Sequence, residues 1–90
     1  MRILLQGQLA VTSGTHAIEH QIDSPTTLES LILLTAQQLP EAARDLLITP
    51  QKQIRSSLFV AVDGTHQRDY STQLSPNTSE IMLMPPMAGG

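Results

Sequence analysis

One segment dominates what this chain can become. From Leu28 to Leu39, the residues Leu28, Leu31, Ile32, Thr35, Ala36 and Leu39 recur at the spacing of one helical face, with Leu33 and Leu34 broadening it. Thr26 followed three residues later by Glu29 is a capping-box pattern, and it predicts that the helix starts there. Pro40 ends it, because a proline ring cannot continue a helix, but the same residue can open a second short helix over Glu41 to Leu47. A single main helix with one apolar face needs a sheet to cover that face.

The flanking segments supply the strands. Arg2 to Leu5 and Leu9 to Val11 form an apolar N-terminal stretch, with Gln6, Gly7 and Gln8 between, read as one strand with an irregular passage. Ser13-Gly14-Thr15 supplies a turn, and His16 to Ile22 alternates, with Ile18 and Ile22 on one side and Glu19 and Gln21 on the other. Thr49 to Ser57 reads as a surface loop. Leu58 to Val62 is a short run of β-formers, and the Asp63-Gly64 that follows favours a type I′ turn because glycine tolerates positive φ. His66 to Tyr70 is a weak return strand, and Ile81 to Met84 is a last strand stopped by Pro85-Pro86. The expected fold is α+β with the ββαββ order of a β-grasp: a mixed sheet packed against one main helix, over residues 1–84. The strand pairing stays open at this point.

Composition narrows the function. Ninety residues suit one domain, and 40% hydrophobic against 14% charged residues favours a folded core over a disordered chain. Phe59 and Tyr70 are the only aromatics, and five Lys and Arg with a net charge of -3 give neither stacking platforms nor a basic footprint, so no nucleic-acid partner is expected. The lack of cysteine excludes disulfides, thiol nucleophiles and zinc-thiolate sites. No apolar run reaches the roughly 18 residues of a membrane span, and Met1 to Leu5 lacks the features of a signal peptide, so the expectation is no membrane and a cytoplasmic location.

The last six residues, Pro85-Pro86-Met87-Ala88-Gly89-Gly90, carry the most functional information. Two prolines favour an extended conformation that leads away from the sheet, and six residues can reach roughly 20 Å. Gly89 and Gly90 can pass a narrow channel and adopt whatever φ a partner's site requires. The group so delivered is the α-carboxylate of Gly90, inert until nucleotide chemistry gives it a leaving group. Pro85, Pro86, Met87, Ala88 and Gly89 would be the partner-binding residues of this flexible tail, 85–90. The alternative reading is a frayed chain end.

On these positions the sequence resembles the molybdopterin-synthase small subunit and thiamine sulfur-carrier family (MoaD/ThiS), the ubiquitin-like β-grasp carriers that end in Gly-Gly. The Pro-Pro-x-x-Gly-Gly ending, at Pro85, Pro86, Gly89 and Gly90, is typical of the molybdopterin branch. The chain departs from the family in Asn77-Thr78-Ser79-Glu80, where a Gly-Asp turn is frequent, and in Leu83-Met84, where aromatics often precede the prolines. The resemblance implies an adenylating enzyme of the ubiquitin-activating type that uses ATP on Gly90, a sulfur donor protein that yields the C-terminal thiocarboxylate, and a molybdopterin synthase large subunit that receives the tail. No bound cofactor and no independent catalysis are expected. Other recipients are thiamine, tRNA or cysteine synthesis, or lysines of modified proteins. A β-grasp interaction module with an unactivated tail is the alternative of another class.

Weaker signals remain. Met82 and Met84 share one strand face and Ile81 and Leu83 the other, so one pair packs under the helix; Met82 and Met84 are a possible interface, where flexible thioethers adapt to a partner. His16-Ala17-Ile18-Glu19-His20 matches an H-x-x-E-H metal motif, but that motif needs a helix and this segment alternates like a strand, so no metal site is expected. Asp63 and Asp69 flank the Gly64 hairpin without any sign of the cleft that acid-base catalysis requires.

Overall fold

The structure, a computed structural model, describes residues 1–86. Its elements run β1 (Arg2–Leu5), α1 (Gln8–Ser13), β2 (Ala17–Glu19), β3 (Thr26–Thr27), α2 (Leu28–Gln38), α3 (Glu41–Leu47), β4 (Phe59–Val62), β5 (Thr65–His66), β6 (Gln73–Leu74) and β7 (Glu80–Met84). Five strands form one sheet in the order β2-β1-β7-β4-β5. β1 and β7 are parallel and the other pairs antiparallel, giving the mixed sheet of a β-grasp. A second, two-stranded sheet joins β3 to β6.

The core lies between the main sheet and α2. Alternation sends Ile3 and Leu5 of β1, Val60 of β4 and Ile81 and Leu83 of β7 inward, where they meet Leu28, Leu31, Ile32 and Ala36 of the helix. Burying each large aliphatic side chain contributes about 1.5–3 kcal/mol, which makes this layer the main source of stability. The ends of α2 are closed from outside the helix. Thr27 Oγ1 accepts from the Ser30 N–H at 3.1 Å, while the Leu28 and Glu29 N–H groups donate to the carbonyls of Thr72 (2.9 Å) and Tyr70 (2.8 Å). At the other end the Arg44 guanidinium donates to the Ala36 and Leu39 carbonyls, both at 3.2 Å, placing positive charge where the helix leaves carbonyls unpaired.

Several expectations need correction. Leu9 to Val11 is not a strand but part of α1. Gly7, at φ 58 and ψ -131, turns the chain out of the extended region, and Leu9 is then fully buried against the core. Gly14 closes α1 in the left-handed region at φ 75, its N–H donating to the Ala10 carbonyl. The second strand is only Ala17–Glu19, shorter than the alternation from His16 to Ile22. The helix cap sits one residue later than expected, at Thr27, whose hydroxyl is the one that accepts from the Ser30 N–H, while Thr26 pairs with Leu74. Pro40 occupies the N-cap of α3, and the helix spans Glu41–Leu47 as expected. The return strand is Thr65–His66 rather than His66 to Tyr70, and β6 and its pairing with β3 had no counterpart in the sequence reading.

Candidate functional site

The site is organised by β7. The strand has β1 on one side and β4 on the other, so it is the centre of the sheet, and its C-terminal end leads into Pro85 and Pro86. The Gln6 N–H donates to the Leu83 carbonyl at 3.0 Å, one residue beyond the last β1 pairing, and Phe59 is opposite Met84. Pro85 is buried and Pro86 exposed, so the chain meets solvent at Pro86. The expected tail residues Met87, Ala88, Gly89 and Gly90 lie outside the described residues.

The other end of β7 is tied by Asp63. The Asp63-Gly64 turn has positive φ at both residues, 48 and 85, the signature of a type I′ hairpin. In that conformation the Asp63 carboxylate accepts from the Glu80 N–H at 2.8 Å and the Ser79 N–H at 3.1 Å. The Asp63 N–H donates to the Glu80 carbonyl at 2.8 Å. The carboxylate of the β4–β5 hairpin thereby holds the start of β7. Asp69 is likewise spent locally, its carboxylate accepting from the Ser71 N–H at 2.9 Å and from the Ser71 hydroxyl, which holds its pKa below the ordinary value.

Met82 and Met84 point to the outer face of the sheet, since Ile81 and Leu83 are fully buried on the inner one. The registers put Ala17, Leu4, Met82, Ala61 and His66 in one row across five strands. Phe59 lies opposite Met84, and its ring stacks on the His66 imidazole with centroids 4.3 Å apart and planes 17° from parallel. Met84 is 37% exposed. The result is a continuous, largely apolar face ending at Met84, next to Pro85 and Pro86, the kind of patch that marks association. Leu4, Phe59, Ala61 and His66 were not singled out in the sequence; Leu4 joins the face through the parallel β1–β7 pairing, and the other three through the antiparallel pairings of β4 with β7 and β5.

His16 is exposed on the approach to β2, whereas His20 is buried beyond it and serves the core. The segment is a strand, so the two histidines do not share a helical face. His20 Nε2 lies 3.1 Å from Thr35 Oγ1, and the Thr35 hydroxyl donates to the Leu31 carbonyl at 2.9 Å. A hydroxyl has one proton and that carbonyl can only accept, which assigns the His20 Nε2 as the donor to Thr35. Burial, and then the nearby N-terminal ammonium, push the His20 pKa below 6.5, with Glu19 opposing them. Among the described residues no group of three or more His, Asp or Glu side chains is placed to hold a metal ion, and no helix is long and apolar enough to cross a membrane.

No protein-family model matches the sequence, and no curated protein sequence matches it. Solved structures do match in three dimensions. The crystal structure of SAMP1 from Haloferax volcanii aligns with 99% of this chain and 97% of its own, at TM-score 0.74 and 17% identity. A crystal structure of H. volcanii small archaeal modifier protein 1 gives TM-score 0.81 and 16% identity over 96% of this chain and 95% of its own. The crystal structure of Sulfolobus solfataricus Urm1 gives TM-score 0.63 and 18% identity over 96% of this chain and all of its own. The fold of the chain is the ubiquitin-like β-grasp of these proteins.

Proposed function

We propose that this chain is a ubiquitin-like carrier that works through the carboxylate of Gly90. The observation that supports the reading best is the seating of the strand end that leads into Pro85 and Pro86. It continues the central strand, held by Gln6 on one side and facing Phe59 across β4 on the other, beside an apolar face for a partner to grip. Such a handle fixes the origin of the tail, while the prolines and glycines of the sequence suit it to a narrow site.

In this reading an adenylating enzyme rests on the Leu4, Phe59, Met82 and Met84 face and receives the tail. A Gly90 carboxylate oxygen attacks the α-phosphorus of ATP, pyrophosphate leaves, and the acyl adenylate is then open to a nucleophile. Hydrosulfide delivered by a sulfur donor attacks the acyl carbon, AMP leaves with the anhydride oxygen, and a thiocarboxylate remains. The Pro-Pro-x-x-Gly-Gly ending favours delivery of that sulfur to a cyclic pterin phosphate inside a molybdopterin synthase large subunit. A second reading sends the acyl group to a lysine of another protein, and the similarity in fold to a small archaeal modifier protein favours it.

The test is incubation of the full chain with ATP, a sulfur donor and a cognate activating enzyme. AMP release with an oxygen-to-sulfur mass change at the C-terminus is expected, and loss of both on deleting Gly90. A shortened chain that is modified as well as the parent would rule out the terminal-carboxylate mechanism. Co-purification with a pterin-binding large subunit selects the molybdopterin reading, and isopeptide-linked products select protein modification.

A further inference from the structure

After α3 the chain makes a tight excursion between Ile48 and Ile54, which bridge antiparallel. The Thr49 N–H donates to the Gln53 carbonyl at 2.7 Å and the Lys52 N–H to the Thr49 carbonyl at 2.8 Å, so Pro50, Gln51 and Lys52 form a three-residue loop. Proline suits the first loop position, and the third takes the left-handed region, as Lys52 does at φ 63. Glycine fits that position with no steric penalty, whereas the Cβ of lysine strains against the backbone. Strain held at one residue points to a use for its side chain. Lys52 is also the only lysine in the chain.

That side chain borders a cleft of about 270 Å³, shared with Leu33 and Gln37 of α2, Arg44 of α3 and Ile48. Leu33 and Ile48 are half-buried and give it an aliphatic floor, while Gln37 and Lys52 stand exposed at its rim. Arg44 is held in place by donating to the Ala36 and Leu39 carbonyls, both at 3.2 Å. Those acceptors are neutral, so the guanidinium keeps its charge, and neither Arg44 nor Lys52 is in an ion pair among the described residues. Two of the five Lys and Arg thus meet at one cleft with none of the eight Asp and Glu on its lining, in a chain of net charge -3. An aliphatic floor walled by two cations complements a ligand that is aliphatic and anionic at once.

We propose that this cleft is a docking site for an acidic, aliphatic segment of a partner protein. A leucine or isoleucine of that segment rests on Leu33 and Ile48, and the carboxylates beside it meet Arg44 and Lys52. Arg44 is preset by its two carbonyl bonds and loses little freedom on binding. Lys52 supplies the second charge from the loop, which accounts for a lysine where glycine would be relaxed. A bare phosphate would leave the aliphatic floor uncovered. The cleft lies on the helical side of the molecule, away from the outer sheet face that carries Met82 and Met84, and its occupation does not depend on Gly90.

The test titrates the labelled full chain with acetyl-Glu-Leu-Ile-Glu-Asp-amide and follows backbone amide shifts. Saturable shifts concentrated at Leu33, Gln37, Ile48 and Lys52 are expected, and acetyl-Lys-Leu-Ile-Lys-Lys-amide does not produce them. Lys52→Gly weakens binding roughly fivefold, while its denaturant midpoint stays or rises because the left-handed position is relieved. Lys52→Arg keeps the affinity. At the exposed Gln37, a change to Lys tightens binding and a change to Glu weakens it, each roughly twofold. Lys52→Gly binding as tightly as the parent, equal affinity for the basic peptide, shifts confined to Phe59, Met82 and Met84, or no saturable shift at millimolar peptide would each overturn the proposal.

Discussion

Replacing Thr35 with valine isolates one hydrogen bond in the middle of the core. Thr35 is fully buried and His20 is 7% exposed. Valine matches threonine in volume and branching, so the change opens no cavity and barely alters helix propensity. What it removes is the acceptor for the His20 Nε2 proton, 3.1 Å away. A buried donor left without a partner costs about 1–3 kcal/mol, and the gain from the added methyl recovers less than 1 kcal/mol of that. A net loss of ~1–2 kcal/mol lowers the melting temperature of a domain this size by roughly 5–15 °C. His20→Leu costs less, because the Thr35 hydroxyl keeps its bond to the Leu31 carbonyl. In the double variant the stranded donor is gone, so chemical denaturation of all four proteins should give a coupling energy of about 1 kcal/mol or more. If Thr35→Val unfolds at the parent's denaturant midpoint, or the double variant loses the sum of the singles, the assignment of His20 as donor is wrong.

The same histidine makes stability depend on pH: its pKa is depressed in the folded state, so the unfolded chain binds the extra proton, and stability should fall as pH drops below 6.5 and level off below the folded pKa. Urea midpoints between about pH 7.5 and pH 5 should show this slope in the parent and a shallower one in His20→Leu. Asp63→Ala loses the acceptor for the Ser79 and Glu80 N–H groups and strains a left-handed residue, for about 1–2 kcal/mol, whereas Asp63→Asn keeps an acceptor and the tolerated φ of 48 and should lose under half of that by thermal melts. Met84→Glu, on the 37% exposed outer position, should leave stability within about 0.5 kcal/mol but cut AMP release by the activating enzyme at least tenfold.

The sequence carried those parts of the fold that are written in contiguous residues. The periodicity from Leu28 to Leu39 and the stop at Pro40 specify α2 and α3, and Asp63-Gly64 specifies the hairpin because few dipeptides accept two positive φ values. The tail remains an expectation from Pro85, Pro86, Gly89 and Gly90, of which only the two prolines are among the described residues. Helix α1 escaped notice because six residues are too few for a period to emerge; it is Gly7 and Gly14 that bound it and the burial of Leu9 that sustains it. Two-residue strands such as β3 and β6 carry no alternation at all, and their existence follows from the loop at Tyr70 to Thr72 being drawn onto the start of α2. The outer face was half visible. Met82 and Met84 could be paired by their spacing, but Leu4 joins them only through a parallel pairing of residues almost the whole chain apart, which no local pattern announces.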